Sequence, residues 1–195
     1  MKGCKPLSPA EYRRVLDTIA GPMADRDRAL FVFGCHTGLR SHELVTLQWS
    51  DLLTQRAIAS RFYLFRSRTK GQTQGRTVEI PAPAIHALST WHDAQPPIGP
   101  DTRPAHVFTT PAGSPLSTRT IRHLVTSWLR NAAIPPPHGS HTMRKTFAAR
   151  LYEASGRDLK LCQLALGHTS LASTAHYVEP LAGRYETLIR SLYLG

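Results

Sequence analysis

Apolar residues recur along this chain mostly at helical spacing, and the places where the period changes mark the elements. Ser8-Pro9-Ala10-Glu11 reads as a capping box with proline at the first helical position. Tyr12, Val15, Leu16 and Ile19 follow at helical spacing, and Gly21-Pro22 stops that helix. A second helix is predicted over roughly Arg26 to His36. It is nearly all apolar from Ala29 to Cys35, which places it at the centre of the core. Thr37-Gly38 ends it, and a third helix starts near Ser41. Between Ala57 and Pro81 the character changes. Ile58, the run Phe62-Tyr63-Leu64-Phe65 and the run Thr77-Val78-Glu79-Ile80 read as strands. The glycine-rich, polar and basic stretch RSRTKGQTQGR between them predicts a hairpin with Lys70 at its tip.

The second half returns to helices. One is predicted over 83–94, followed by a proline-rich loop over 95–106 and a short extended piece, Val107-Phe108-Thr109. An amphipathic helix runs from about Ser117 to Ala132, with Arg119, Arg122, His123 and Arg130 on its polar face. Pro135-Pro136-Pro137 forces an extended entry to a helix that begins at His141. His141 and Arg144 are three apart, so they share a helix face. Gly167 follows the periodic run Leu159 to Leu166 as a C-terminal helix glycine and fixes His168 just beyond the helix end. Ser170 is placed to cap the next helix, whose far end carries Tyr177. In the tail, Leu181, Tyr185, Leu188, Ile189 and Leu192 form one stripe. That stripe, over about 181–193, either closes the chain's own core or docks on a neighbouring copy. The whole reads as one mainly α domain over 1–195 with a small antiparallel β-sheet, an α+β fold.

Composition narrows the partners. The 195 residues carry a formal charge of +11 and a pI of about 10.2, which favours a polyanion, most simply nucleic acid. An anionic membrane surface is the competing partner, but no long basic amphipathic helix or lipidation signal supports it. There is no apolar run of the roughly 20 residues that a bilayer requires. The N-terminus lacks the apolar core of a signal peptide. Cys4, Cys35 and Cys162 are odd in number and widely spaced. They offer neither a disulfide framework nor a zinc ligand set, and they read as reduced thiols in a cytoplasmic protein, with Cys35 and Cys162 in the core.

Arg40 stands apart from a solvated surface arginine in two respects. It follows a buried helix and a turn glycine, so its backbone is held, and it lies beside a helix N-terminus, which favours anions. Glu43 is either a dipole partner for that helix or a brace for Arg40. Lys70 is either a solvated turn lysine or, on a basic hairpin, a side chain that reaches into a minor groove.

Together these pieces resemble the catalytic domain of the tyrosine recombinase (phage integrase) family, over roughly residues 6–190. TGLRSHELVTLQWSDL (37–52) is similar to the family's first arginine box. RTKGQTQGRTVEIP matches the hairpin lysine at Lys70, His141 and Arg144 match the His-x-x-Arg box, and LGHTSLASTAHY matches the third box, with His168 nine residues before Tyr177. Met143 stands where leucine is usual and Lys145 where histidine is frequent; neither change removes a group that does chemistry. Most family members also carry an N-terminal helical domain that grips the opposite side of the DNA. Only about 39 residues precede Arg40 here. The expectation is therefore either an excised fragment or a naturally short form, like the fimbrial phase-switching invertases.

The resemblance implies a site-specific DNA recombinase that cleaves and rejoins strands through a 3′-phosphotyrosyl intermediate. Arg40 and Arg144 would meet the charge on the non-bridging oxygens with paired N–H donors. Tyr177 would attack phosphorus, Lys70 would protonate the leaving oxygen, and His168 would hydrogen-bond the phosphate. His141 would assist proton movement or orient the phosphate. No metal and no cofactor are called for, since guanidinium groups do the charge work, and no Gly-rich phosphate loop is present. Double-stranded DNA is the expected partner, with a homo-tetrameric synapse on DNA and accessory DNA-bending proteins. A non-cleaving DNA-binding module of the same fold, or a type IB-like topoisomerase, are the alternatives.

Overall fold

The nearly continuous apolar run becomes the central helix of the chain. The computed structural model describes residues 4–55, 57–69, 75–95 and 106–178. They divide into two compact units, Met1–Phe147 and Ala148–Gly195. In the first unit, helix α1 (Pro9–Thr18) starts with the expected capping box. Glu11 Oε2 accepts from the Ser8 amide at 2.8 Å, and Ser8 Oγ accepts from the Glu11 amide at 3.3 Å. Helix α2 (Ala24–Thr37) follows, with Ala29, Leu30, Phe31, Phe33 and Cys35 fully buried. Burying that many large apolar side chains, each contributing about 1.5–3 kcal/mol, makes α2 the element on which the others pack.

Helix α3 (Ser41–Val45) begins three residues after α2 ends at Gly38. A one-turn helix, α4 (Trp49–Leu52), comes next, which the apolar spacing does not mark. The β region differs from the single sheet expected. It forms two separate two-stranded antiparallel sheets. Strands β1 (Leu53–Thr54) and β2 (Ala57–Ile58) pair across a turn in which Gln55 takes φ 49°. Ile58 therefore belongs to this small ribbon rather than to the hairpin. Strands β3 (Arg61–Leu64) and β4 (Arg76–Glu79) pair in the register Phe62↔Val78 and Leu64↔Arg76. By strand alternation these four share one face, and Phe62, Leu64 and Val78 are buried on it. Tyr63 and Phe65 face outward, their rings T-shaped at 5.1 Å. Lys70 lies outside the described residues.

Helix α5 (Ala82–Asp93) packs along α2. Its Trp91 Nε1 donates to the Val107 carbonyl at 2.7 Å and holds the 107–109 segment to α5. Helix α6 (Thr118–Asn131) buries Ile121, Val125, Trp128 and Leu129, and exposes Arg119, Arg122, His123 and Arg130, as its periodicity predicts. Helix α7 (His141–Ala154) begins in the first unit and runs into the second. In the second unit α8 (Leu159–Leu166) packs against α9 (Leu171–Val178). Cys35 and Cys162 are buried, as expected. Among the described residues no helix is long and apolar enough to cross a membrane. The apolar stripe at 181–193 lies outside the described residues.

Two glycines set how closely α7 approaches α2. A Cβ on Gly34 would stand 2.8 Å from Met143 Sδ, and one on Gly38 would stand 2.3 Å from Phe147 Cδ1. Gly34 and Gly38 are four apart, as are Met143 and Phe147, so one helical turn of each element meets the other. Arg144 lies between those two contacts in sequence. Gly38 also takes φ 64°, a left-handed conformation that L side chains resist. Gly38→Ala should therefore cost about 1–2 kcal/mol in backbone strain, plus about 1–3 kcal/mol from overpacking against the Phe147 ring. Gly34→Ala should cost less, because the Met143 thioether can rotate away. Urea denaturation of the two variants checks the order; equal midpoints would contradict it.

Candidate active site

The α2–α3 junction presents Arg40 because Gly38 turns the chain and Glu43 pins it. Glu43 sits in the first turn of α3 and is fully buried. Its Oε2 accepts from the Arg40 amide at 2.8 Å, and its Oε1 accepts from Arg40 Nη1 at 3.1 Å. Both roles left open for Glu43 are thus filled by one carboxylate. A third contact is new. Arg76, the first residue of β4, forks onto Glu43 with Nη1 to Oε1 at 3.1 Å and Nη2 to Oε2 at 3.0 Å. A buried carboxylate that accepts four hydrogen bonds from two arginines is held in one plane, and Arg40 is held with it.

Arg144 joins this cluster from α7. It is 1% exposed, and its Nη1 donates to the carbonyl of Gly38, two residues before Arg40. Burial pushes the Glu43 carboxyl up. The Arg76 fork and charge, the Arg40 amide and the Arg144 charge more than reverse this, so its pKa lies below the ordinary carboxylate value. Three guanidinium groups therefore surround one carboxylate, and the cluster is cationic. Its most exposed member, Arg40, with 21% of its side chain in solvent, presents a guanidinium that suits a phosphodiester, whose attack adds charge to the non-bridging oxygens.

His141 opens α7 and is exposed at its surface. Crowding by protein atoms lowers its pKa first, and the charges of Arg144, Arg40, Lys145 and Arg122 lower it further. At pH 7 the ring is neutral. It can accept a proton but adds no positive charge of its own. The charges of Arg122, on the polar face of α6, and of Lys145 thus bear on the site.

In the second unit Gly167 ends α8 in the left-handed conformation, φ 61° and ψ 46°, as its place after the periodic run predicts. The His168 amide then donates to the Gln163 carbonyl at 3.0 Å, and Gln163 Nε2 donates to the His168 carbonyl at 3.1 Å. The ring is fixed by a hydrogen bond between Nδ1 and the buried hydroxyl of Thr174 at 2.9 Å. Thr174 stands on α9, the helix that carries Tyr177. The structure therefore gathers Arg40, His141 and Arg144 in the first unit, and ties His168 to the tyrosine-bearing helix in the second. The Tyr177 side chain and Lys70 lie outside the described residues.

Sequence reading missed Arg76 and Thr174. Arg76 had a signal: it alternates with Val78 and Ile80, so it had to share their buried face and needed a buried partner. Thr174 had none, since it lies six residues from His168 in a different element. Among the described residues no group of three or more His, Cys, Asp or Glu is arranged to hold a metal ion.

Two expectations follow from the charges. Removing one partner of a buried ion pair costs about 3–5 kcal/mol, so Glu43→Ala should lose about that much at pH 7. Because the folded-state pKa of Glu43 is depressed, its stabilisation is fully present above its ordinary value of 4.5. It is lost as pH falls through the lower folded value. The gap between native protein and variant in chemical denaturation should therefore narrow below pH 4.5; a constant gap would contradict this. For His141, NMR titration should give a midpoint below 6.5, moving upward in Arg122→Gln.

Comparison with known proteins gives the family. Residues 5–184 match the model of the phage integrase family. Tyrosine recombinase XerC of Mycobacterium leprae (strain TN) is 35% identical over 171 residues, covering 84% of this chain and 52% of that protein. Tyrosine recombinase XerC of Chlamydia trachomatis serovar L2 (strain ATCC VR-902B / DSM 19102 / 434/Bu) is 32% identical over 177 residues, covering 87% and 53%. A solved structure of the XerH site-specific recombinase, bound to palindromic difH substrate in a post-cleavage complex, superposes with a TM-score of 0.74. It is 26% identical and covers 94% of this chain and 51% of that one. The chain spans about half the length of the curated relatives it matches. The match over 5–184 leads to one conclusion: the chain belongs to the phage integrase family.

Proposed function

We propose that this chain is the catalytic part of a site-specific DNA recombinase, which cleaves and rejoins duplex DNA through a 3′-phosphotyrosyl intermediate. The observation that carries this reading is the buried Glu43 carboxylate, which holds two arginines in the same cluster as Arg144, beside a neutral histidine. Arg40 and Arg144 grip the scissile phosphate. The Tyr177 oxygen attacks phosphorus, a phosphorus–tyrosine oxygen bond forms, and the bond to the 5′ oxygen breaks. Lys70 gives that oxygen its proton and so releases a 5′-hydroxyl. A phenol has a pKa of about 10, so its proton must go to a base, and His141 is suited to take it because desolvation, and then the neighbouring cations, keep it neutral. His168 donates to the phosphate. Attack by the 5′-hydroxyl of another strand reverses the step, so bond energy is conserved and no nucleotide cofactor or metal enters the scheme.

The net charge of +11 supports duplex DNA as the partner. Exchange between two sites requires four cleaving chains, so a homo-tetramer on DNA follows from the reaction, with DNA-bending accessory proteins as helpers. Residues 1–195 act as one catalytic domain in the cytoplasm, where the chromosome is reached. The test is incubation with a nicked duplex that lets the cleaved end diffuse away. The native protein should give a denaturant-resistant protein–DNA adduct, and Tyr177→Phe should give none. An adduct that survives the substitution removes Tyr177 as nucleophile. Salt-sensitive DNA binding without any adduct supports a non-cleaving module instead.

A further inference from the structure

We infer that Arg76 is a positioning residue for Arg40, acting through Glu43. The inference rests on the reading of Arg40 as a phosphate-gripping group. Arg76 and Arg40 do not touch the same atom by chance of crowding. Both guanidinium nitrogens of Arg76 address the two oxygens of Glu43, and each of those oxygens also accepts from Arg40, one from its side chain and one from its backbone. The fork sets the plane of the carboxylate. The plane in turn sets where the Arg40 guanidinium can hydrogen-bond. Without the fork the carboxylate can turn about its last bond, and Arg40, whose side chain is 21% exposed against 10% for Arg76, can swing toward solvent.

Arg76 is also placed at a cost that a surface arginine avoids. Its Nε is buried with no hydrogen-bond partner among the described residues, and buried donors are rarely left so. What offsets this is the paired contact to Glu43, which spans 33 residues of sequence and joins β4 to the start of α3. Lysine at this position could keep the charge but not the two-point contact.

The experiment uses the whole chain with Arg76→Gln and Arg76→Lys. Side-chain nitrogen NMR of Arg40 should show slow guanidinium rotation in the native protein and faster rotation in both variants. Single-turnover cleavage of the nicked duplex, at saturating protein and at a temperature where each variant is folded, should slow on the order of 100-fold for Arg76→Gln. DNA affinity should hold nearly constant. Arg76→Lys should fall between, and it carries the test if Arg76→Gln does not fold. Adding Arg76→Gln to Arg40→Ala should slow cleavage no further than Arg40→Ala alone. Unchanged Arg40 signals in the variants, or losses that multiply in the double variant, would overturn the inference. If the native chain forms no adduct, the recombinase reading falls, and the Arg40 signals still decide whether Arg76 positions it.

Discussion

A fully buried carboxylate with four hydrogen bonds organises the site. Glu43 alone in the interior would prefer its neutral form, since burial penalises charge. The fork and charge of Arg76 and the backbone amide of Arg40 reverse that preference, and the charge of Arg144 adds to the reversal. The same carboxylate caps α3, fixes the Arg40 backbone and aligns the Arg40 side chain. A helix start, a strand start and a cationic surface therefore depend on a single ionised group. Deleting either side leaves charge buried without its partner, which is why such clusters are destabilising to break even where they add little net stability.

The rest of the first unit exists to bring the elements to that carboxylate. The apolar α2 gives a rigid axis, and its two glycines let α7 settle close enough for Arg144 to reach the Gly38 carbonyl. The left-handed Gly38 then turns the chain so that Arg40 emerges two residues later. The β3–β4 pairing places Arg76 on the buried face beside Leu64. In the second unit a smaller device does the same work: Gly167 ends α8, and Thr174 locks His168 to the helix that holds Tyr177.

Most of this architecture was legible because it is local. Ser8 to Glu11, the α6 stripe, Gly38 and Gly167 each declare an element end or face within a few residues, and the structure has them where the spacing put them. The boxes around Arg40, His141 and His168 stood out because their residue types and order matched a known pattern. What escaped was long-range. One β-sheet was expected and two formed, because Ile58 turned back on Leu53 instead of extending the hairpin. Nothing near Glu43 in the sequence points to Arg76, and its strand alternation shows only that a partner must exist. Thr174 carries no signal at all until the helices are folded together.

Ionisation of Glu43 is the quantity on which everything above turns. A protein carrying ¹³C at the Glu43 carboxyl, followed by NMR as the pH is lowered, reads it directly. The carboxyl should remain ionised through its ordinary value of 4.5 and protonate only below it, together with the loss of structure at α3. A carboxyl that protonates above 4.5, with the fold intact, would mean that burial outweighs the arginines and that Glu43 does not hold them.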